Sequence, residues 1–265
     1  MNYKTLEYEQ FSHYGIIYLN IPDQKNAMSP LMLADLADFF GCLPPDNIRF
    51  IIISGKGTCF GAGGDLKSMY TMDAAGAAKV SKLAHEAFAR IQHYPVPVVA
   101  VVNGYAIGGG FELALAADMI FAMPDVWFSL PELKFDMLPG GGGTVRLSKT
   151  LGNKQAMWYM LTGSKITAQN AFQSGIVQHV LETDDYLTET AQILQKIILP
   201  VQKEVIRSLK SVLITVEPYN SEAFETEATH FSQLLEKYSK QKIEKFFIYY
   251  IPVKIFLNKI ISVIS

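Results

Sequence analysis

Asn103-Gly104-Tyr105-Ala106-Ile107-Gly108-Gly109-Gly110-Phe111-Glu112 is followed by Leu130-Pro131-Glu132 and by Pro139-Gly140-Gly141-Gly142-Gly143. Three consecutive glycines directly ahead of the helix-prone run 111–117 leave backbone N–H groups unshielded at a helix N-terminus, where the positive end of the helix dipole stabilises an anion. Glu112 follows within a turn, and residues three apart share a helix face, so its carboxylate lies within reach of that anion site. Its neighbours Phe111, Leu113, Ala114, Leu115, Ala116 and Ala117 are apolar all round, which marks an interior helix. A lone carboxylate there is expensive to bury unless it is protonated or paired. The combination points to oxyanion stabilisation joined to proton transfer. Two carboxylates in one low-dielectric site push each other's pKa apart, the condition for dividing acid and base work at neutral pH.

Outward from this stretch the chain alternates strands and helices. Short apolar strands are expected at 49–54, 98–102 and 119–122, with helices at about 74–92 and 109–117 between them. Residues 5–11 and 15–21, separated by Ser12-His13-Tyr14, predict a hairpin. Ser29-Pro30 opens a helix to about residue 40, Ser being a favoured N-cap and Pro suiting the first helical position. The alternation argues for parallel pairing and an α/β class. Beyond Gly175-Ile176-Val177 the pattern turns helical, at 186–198, 202–214 and 221–239, with a domain change near Leu199-Pro200. The division expected is a core of 1–199 and a C-terminal helical region of 200–265.

Composition narrows the function classes. A chain of 265 residues is long for one ordinary domain, which predicts a main domain with an appendage. Its 49% hydrophobic and 18% charged residues are those of a folded globular protein, and a net charge of −2 gives no footprint for nucleic acid. Cys42 and Cys59 lack metal-ligand spacing, and the N-terminus carries no apolar or Arg-rich leader, so a reducing compartment and a cytoplasmic location are expected. Gly61-x-Gly63-x-x-Leu66 lacks the third glycine of a dinucleotide fingerprint. No Gly-Lys-Ser/Thr phosphate loop occurs, and His85-Glu86 is followed at 89 by Ala89 in place of a second histidine. With no Gly-x-Ser-x-Gly elbow either, serine-hydrolase chemistry is disfavoured, and no metal is assigned. Gly61-Ala62-Gly63-Gly64-Asp65 reads by itself as a tight turn. Paired with Gly108–Gly110 it reads instead as a second amide donor from a separate segment.

Taken together, 21–28 (Ile-Pro-Asp-Gln-Lys-Asn-Ala-Met), 59–67 (Cys-Phe-Gly-Ala-Gly-Gly-Asp-Leu-Lys), 102–113, Leu130-Pro131-Glu132 and 138–147 resemble the crotonase superfamily, in its enoyl-CoA hydratase/isomerase branch. The likeness runs from about Tyr3 to Glu236. It implies a crotonase-like ββα superhelix with a C-terminal helical oligomerisation region, and a homotrimer or homohexamer. The amides of Gly64 and Gly109 would form an oxyanion hole. Ala62, Asp65, Leu66, Lys67 and Ala27 would line the CoA path, with Lys25 as a phosphate contact. Glu112 would act as base toward a water attacking Cβ, Glu132 would deliver a proton to Cα, and the Gly140 amide would help hold the water. Coenzyme A enters as part of the acyl-CoA substrate, and no separate cofactor is expected. Alternatives are another crotonase reaction, such as double-bond isomerisation or hydration of a branched or methylglutaconyl-type acyl-CoA, and a non-catalytic RNA-binding or scaffold member. Trp127, Met137 and the 69–72 stretch are candidates for the acyl pocket.

The sequence departs from the family pattern in two places. Asn20-Ile21-Pro22 lacks the usual basic residue, and the tail 246–264 is apolar where a basic end is usual. From Pro252, residues Lys254, Asn258 and Ser262 form a polar stripe at four-residue spacing. Pro252, Lys254 and Lys259 interrupt a spanning helix, so burial against the protein's own body or another subunit is preferred. Membrane-surface contact aided by Lys237, Lys240, Lys242 and Lys245 is the second choice.

Overall fold

The computed structural model describes residues 3–65, 74–135 and 137–215. Leu66, Lys67, the 69–72 stretch, the expected helix at 221–239 and the apolar tail lie outside the described residues. The chain divides into two compact units, Met1–Ile206 and Arg207–Ser265.

The first unit opens on an antiparallel hairpin, β1 (Leu6–Gln10) with β2 (Tyr14–Leu19), in which Leu6 faces Leu19. A twelve-residue helix, α1 (Pro30–Gly41), follows; the Ser29 side chain accepts from the Met32 amide at 3.2 Å, satisfying one of the helix's orphan donors. Between them Asn26, fully buried with φ 50°, pins a turn: its Oδ1 accepts from the Ile21 amide at 2.9 Å, and its Nδ2 donates to the Lys56 and Cys59 carbonyls at 3.0 and 2.8 Å. Asn tolerates the left-handed region better than most residues, which suits it to this corner.

Three strand–strand–helix units then succeed one another. In the first, β3 (Phe50–Gly55) and β4 (Cys59–Gly61) precede α2 (Ala74–Gln92). In the second, β5 (Val98–Val102) and β6 (Tyr105–Ile107) precede α3 (Gly109–Ala116). In the third, β7 (Met119–Ala122), β8 (Trp127–Ser129) and a 3-10 turn (Glu132–Phe135) precede α4 (Gly143–Leu151). The first strand of each unit joins a wide sheet and the second a narrow one. α5 (Asn153–Thr162), β9 (Ile166–Thr167), α6 (Ala168–Gln173), β10 (His179–Val180), α7 (Tyr186–Ile198) and α8 (Lys203–Thr215) complete the described chain. The wide sheet runs β1-β2-β3-β5-β7-β10, parallel except at the hairpin; the narrow one runs β4-β6-β8-β9, with only β8 and β9 antiparallel.

The central strands explain their own placement. Phe50-Ile51-Ile52-Ile53 and Val98-Val99-Ala100-Val101-Val102 are apolar without interruption because both faces of a parallel sheet are covered. Side-chain alternation sends Ile51, Ile53, Val98, Ala100 and Val102 into one core with Leu33 and Leu36 of α1 and Ala87, Phe88 and Ile91 of α2. Phe50, Ile52, Val99 and Val101 go to the opposite core, against Ala191, Leu194 and Ile198 of α7. Each Val, Leu, Ile or Phe among them taken fully from water contributes about 1.5–3 kcal/mol.

The parallel pairing, the hairpin and the helices of α1, α2 and α7 follow the sequence reading. The narrow sheet and α4 to α6 do not emerge from it. β4, β6, β8 and β9 are two or three residues long, too short to show a period. α5 buries only Ala156 and Met160, which leaves almost no apolar face to read. Cys42 is exposed, while Cys59 is buried. Among the described residues no helix is long and apolar enough to cross a membrane.

Candidate active site

Each parallel strand of the narrow sheet delivers one piece of the site from its carboxyl end, where open α/β sheets place their ligands. β4 leads into Ala62-Gly63-Gly64, β6 into Gly108-Gly109, and β8 through Leu130-Pro131 into Glu132. The second and third pieces are tied together by the Gly108 amide, which donates to the Ser129 carbonyl at 2.9 Å. The first is tied to the turn at residues 25–28: Ala62 N donates to Lys25 O at 3.0 Å, and Met28 N to Gly63 O at 2.7 Å.

The glycines are required by the closeness of these pieces. A Cβ on Gly110 would run into the Gly61 carbonyl, and one on Gly61 would lie 2.9 Å from Gly110 Cα. Gly63 and Gly108 adopt φ of 101° and 49°, which L side chains rarely do, and a Cβ on Gly108 would stand 2.7 Å from Glu132 Oε1. Gly109, the first residue of α3, has an amide with no acceptor inside the helix.

These segments enclose a cavity of about 760 Å³. Its wall includes Gly64, Gly109, Gly140, Ala62, Glu112 and Glu132, and an apolar side formed by Leu33, Val80, Ala84, Phe88, Met137 and Leu138. Lys25, Ala27 and Asp65 lie along the adjoining segments but are not part of this wall. Trp127 is not in the wall either: it stacks on Tyr105 at 5.5 Å between centroids, with the Lys165 ammonium 4.1 Å over its ring.

The two carboxylates are held differently. Glu112 is 4% exposed, and its Oε1 accepts from the Gly141 amide at 2.8 Å and the Gly143 amide at 2.7 Å. Burial lifts its pKa above the ordinary carboxylate value, opposed by those two amides and by the charges of Arg146 and His85. Glu132 is half-buried, and its Oε2 is enclosed with no hydrogen-bond donor among the described residues. Burial raises its pKa to about 7, opposed by its own backbone amide and reinforced by the charge on Glu112. Burial, not mutual repulsion, is the larger cause for both, so the coupling expected of paired carboxylates is the smaller effect here. The carboxylate that receives two N–H bonds is the better-held anion, and the one with a bare oxygen is the better-held acid.

The residues that fix Glu112 were not singled out by the sequence. Gly140 lines the cavity, and its carbonyl accepts from the Ser81 hydroxyl at 2.7 Å. The amides that reach Glu112 belong to Gly141 and Gly143. A Cβ on Gly143 would lie 3.0 Å from both Cγ and Oε1 of Glu112, so only glycine lets that amide come so close. The run of four glycines was the available signal, but a run does not say which amide points inward.

With this geometry in view, the relatives are informative. The chain matches the enoyl-CoA hydratase/isomerase family over residues 12–249. It is 37% identical over 190 residues to a probable enoyl-CoA hydratase of Mycobacterium bovis, covering 71% of this chain and 73% of that one. It is 34% identical over 206 residues to the 2,3-dehydroadipyl-CoA hydratase of Escherichia coli, covering 75% and 80%. The crystal structure of an enoyl-CoA hydratase from Thermoplasma volcanium superposes with a TM-score of 0.83 at 30% identity, covering 92% of this chain and 97% of that one. A family match across most of the chain, relatives above one-third identity and a shared three-dimensional fold lead to one conclusion: this protein is an enzyme of the enoyl-CoA hydratase/isomerase family, within the crotonase superfamily.

Proposed function

We propose that the enzyme adds water across the 2,3 double bond of an enoyl-CoA thioester. The observation that carries this reading is the unequal pair of carboxylates on one cavity wall: Glu112 with two amides on one oxygen, Glu132 with a buried oxygen left bare. The thioester carbonyl would rest between the Gly64 and Gly109 amides, which draw electron density toward oxygen and leave Cβ electrophilic. Glu112, ionised, takes a proton from water as its oxygen bonds to Cβ. Glu132, protonated, gives its proton to Cα. The sum is one water added; the two carboxyls have exchanged protonation states and re-equilibrate as product leaves.

Support for the hole comes from the Gly109 amide, free of intrahelical acceptors, and from the close approach of the two glycine loops. Ala62 lines the cavity, which supports its assignment to the CoA path; Lys25, Ala27 and Asp65 are assigned to it by resemblance, and Gly140 to the water. We also assign the chain to a homotrimer or homohexamer. The exposed apolar Met157, Trp158 and Leu161 on α5 support self-association, which light scattering measures. The free cysteines Cys42 and Cys59 support a cytoplasmic setting.

The test is turnover on short, long and branched enoyl-CoAs. Glu112→Gln and Glu132→Gln should each lower hydration by at least about 100-fold with the fold unchanged by circular dichroism. A folded variant of either kind that keeps near-wild-type turnover on every substrate the parent accepts overturns the two-carboxylate mechanism.

A further inference from the structure

We propose that Arg146 is a positioning residue for Glu112: its guanidinium holds the Gly141 carbonyl and so fixes the peptide plane after Gly141, while Ser81 on the Gly140 carbonyl fixes the plane before it, and the two together keep the Gly141 amide on the Glu112 carboxylate. The inference rests on the reading of Glu112 as the base. Residues 140–143 are all glycine, the segment with the greatest backbone freedom and no side chains of its own to anchor it. Yet two of its amides must meet a single carboxylate oxygen at 2.8 and 2.7 Å. The pins come from outside. From α2, the Ser81 hydroxyl donates to Gly140 O; from α4, Arg146 Nη1 donates to Gly141 O at 2.8 Å. Bonds on both sides of Gly141, N–H to Glu112 and C=O to Arg146, fix the orientation of both its peptide planes.

Arg146 is itself constrained and electrically committed to this site. Its Nε and Nη2 each lie 3.4 Å from Gln92 Oε1, and the ion pairs among the described residues do not include it. Partly buried and in no ion pair among the described residues, this guanidinium acts electrostatically on Glu112 across Gly141. The other charged groups around Glu112 are His85 from α2, which also favours its anion, and Glu132 from the turn after β8. Cys59 and Tyr105, on the strands beneath α3, have pKa values raised by burial and stay neutral.

Arg146→Gln and Arg146→Lys in the full chain test the assignment. The readouts are the titration of the Glu112 carboxyl carbon by NMR, assigned through its loss in Glu112→Gln, and the pH profile of kcat/KM. In Arg146→Gln, Glu112 should titrate at higher pH, the acid limb should move up with it, and kcat should fall on the order of tenfold or more with little change in KM. Arg146→Lys should restore the titration position but only part of kcat, because a point charge cannot hold the carbonyl and Gln92 together. An unchanged Glu112 titration and acid limb in folded Arg146→Gln overturns the proposal, whatever happens to kcat. Should that variant fail to fold, wild-type kcat in Arg146→Lys overturns it instead. If Glu112→Gln remains active the base assignment fails separately, and the NMR titration still measures what Arg146 does to Glu112.

Discussion

Removing the charge of Glu132 should stabilise the protein at neutral and alkaline pH. Burial raises this carboxyl from 4.5 to about 7, so the folded chain holds its proton more tightly than the unfolded chain does. Below pH 4.5 both states are protonated and the difference has no effect. As pH rises from 4.5 toward 7 the unfolded state ionises first, and stability falls; above about 7 both are ionised and the loss is complete. At about 1.4 kcal/mol per pH unit the interval corresponds to about 3 kcal/mol. Solvent reaching a half-buried group reduces this to about 2 kcal/mol. Glu132→Gln cannot ionise, and an amide at the bare Oε2 position replaces a neutral acid without breaking any hydrogen bond of that atom. Glu112 is present in both proteins and cancels to first order. Urea unfolding of parent and variant between pH 4.5 and 8 measures the difference, which should grow by about 2 kcal/mol in favour of Glu132→Gln across that range. A difference that stays flat, or that shifts in favour of the parent, refutes the assignment of a raised pKa to this carboxyl. The same variant should lose turnover, so stability and activity move in opposite directions at one atom.

The pH dependence of hydration follows from the same residue: Glu132 must carry the proton destined for Cα, so kcat/KM should decline as pH rises through about 7, and Glu132→Gln should abolish that limb along with most of the rate. Gly110→Ala should destabilise the fold by more than about 2 kcal/mol in a denaturant melt, because the added methyl meets the Gly61 carbonyl; an unchanged midpoint would show that α3 can slide away at no cost. Asn26→Ala should cost about 2–4 kcal/mol, since it strips three hydrogen bonds from a buried corner that favours asparagine's conformation.

Parts of the site were legible because they violate a local rule. A carboxylate at position 112 inside Phe111-Glu112-Leu113-Ala114 is anomalous unless something pairs with it, and the fold supplies two amides. The parallel sheet was legible from the alternation of strands with helices, and the fold adds why β3 and β5 are apolar throughout: both of their faces are covered. The narrow sheet was not, although it sets the spacing of Gly64, Gly109 and Glu132. Its strands are held by neighbours distant in sequence, and nothing within Cys59-Phe60-Gly61 or Tyr105-Ala106-Ile107 marks a strand. The role of Gly141 and Gly143 was illegible for a different reason. Glycine records that a side chain is absent and says nothing about where the amide points. Arg146 enters the sequence reading only as one residue of the 138–147 motif, and its role shows only once the glycine loop is seen against its guanidinium.

The contact between Gly61 and Gly110 has a consequence for how this sequence can change over time. Most tight packing can be renegotiated: a larger residue on one side is accommodated by a smaller one on the other. Here each position is already at the minimum, and the obstruction met by a new methyl is the opposing main chain, which no substitution can shrink. The pair therefore offers no compensatory route. Drift can proceed one codon at a time through the walls of the cavity, whereas β4 and the N-terminus of α3 are bound to a fixed separation by two residues that have nothing to trade.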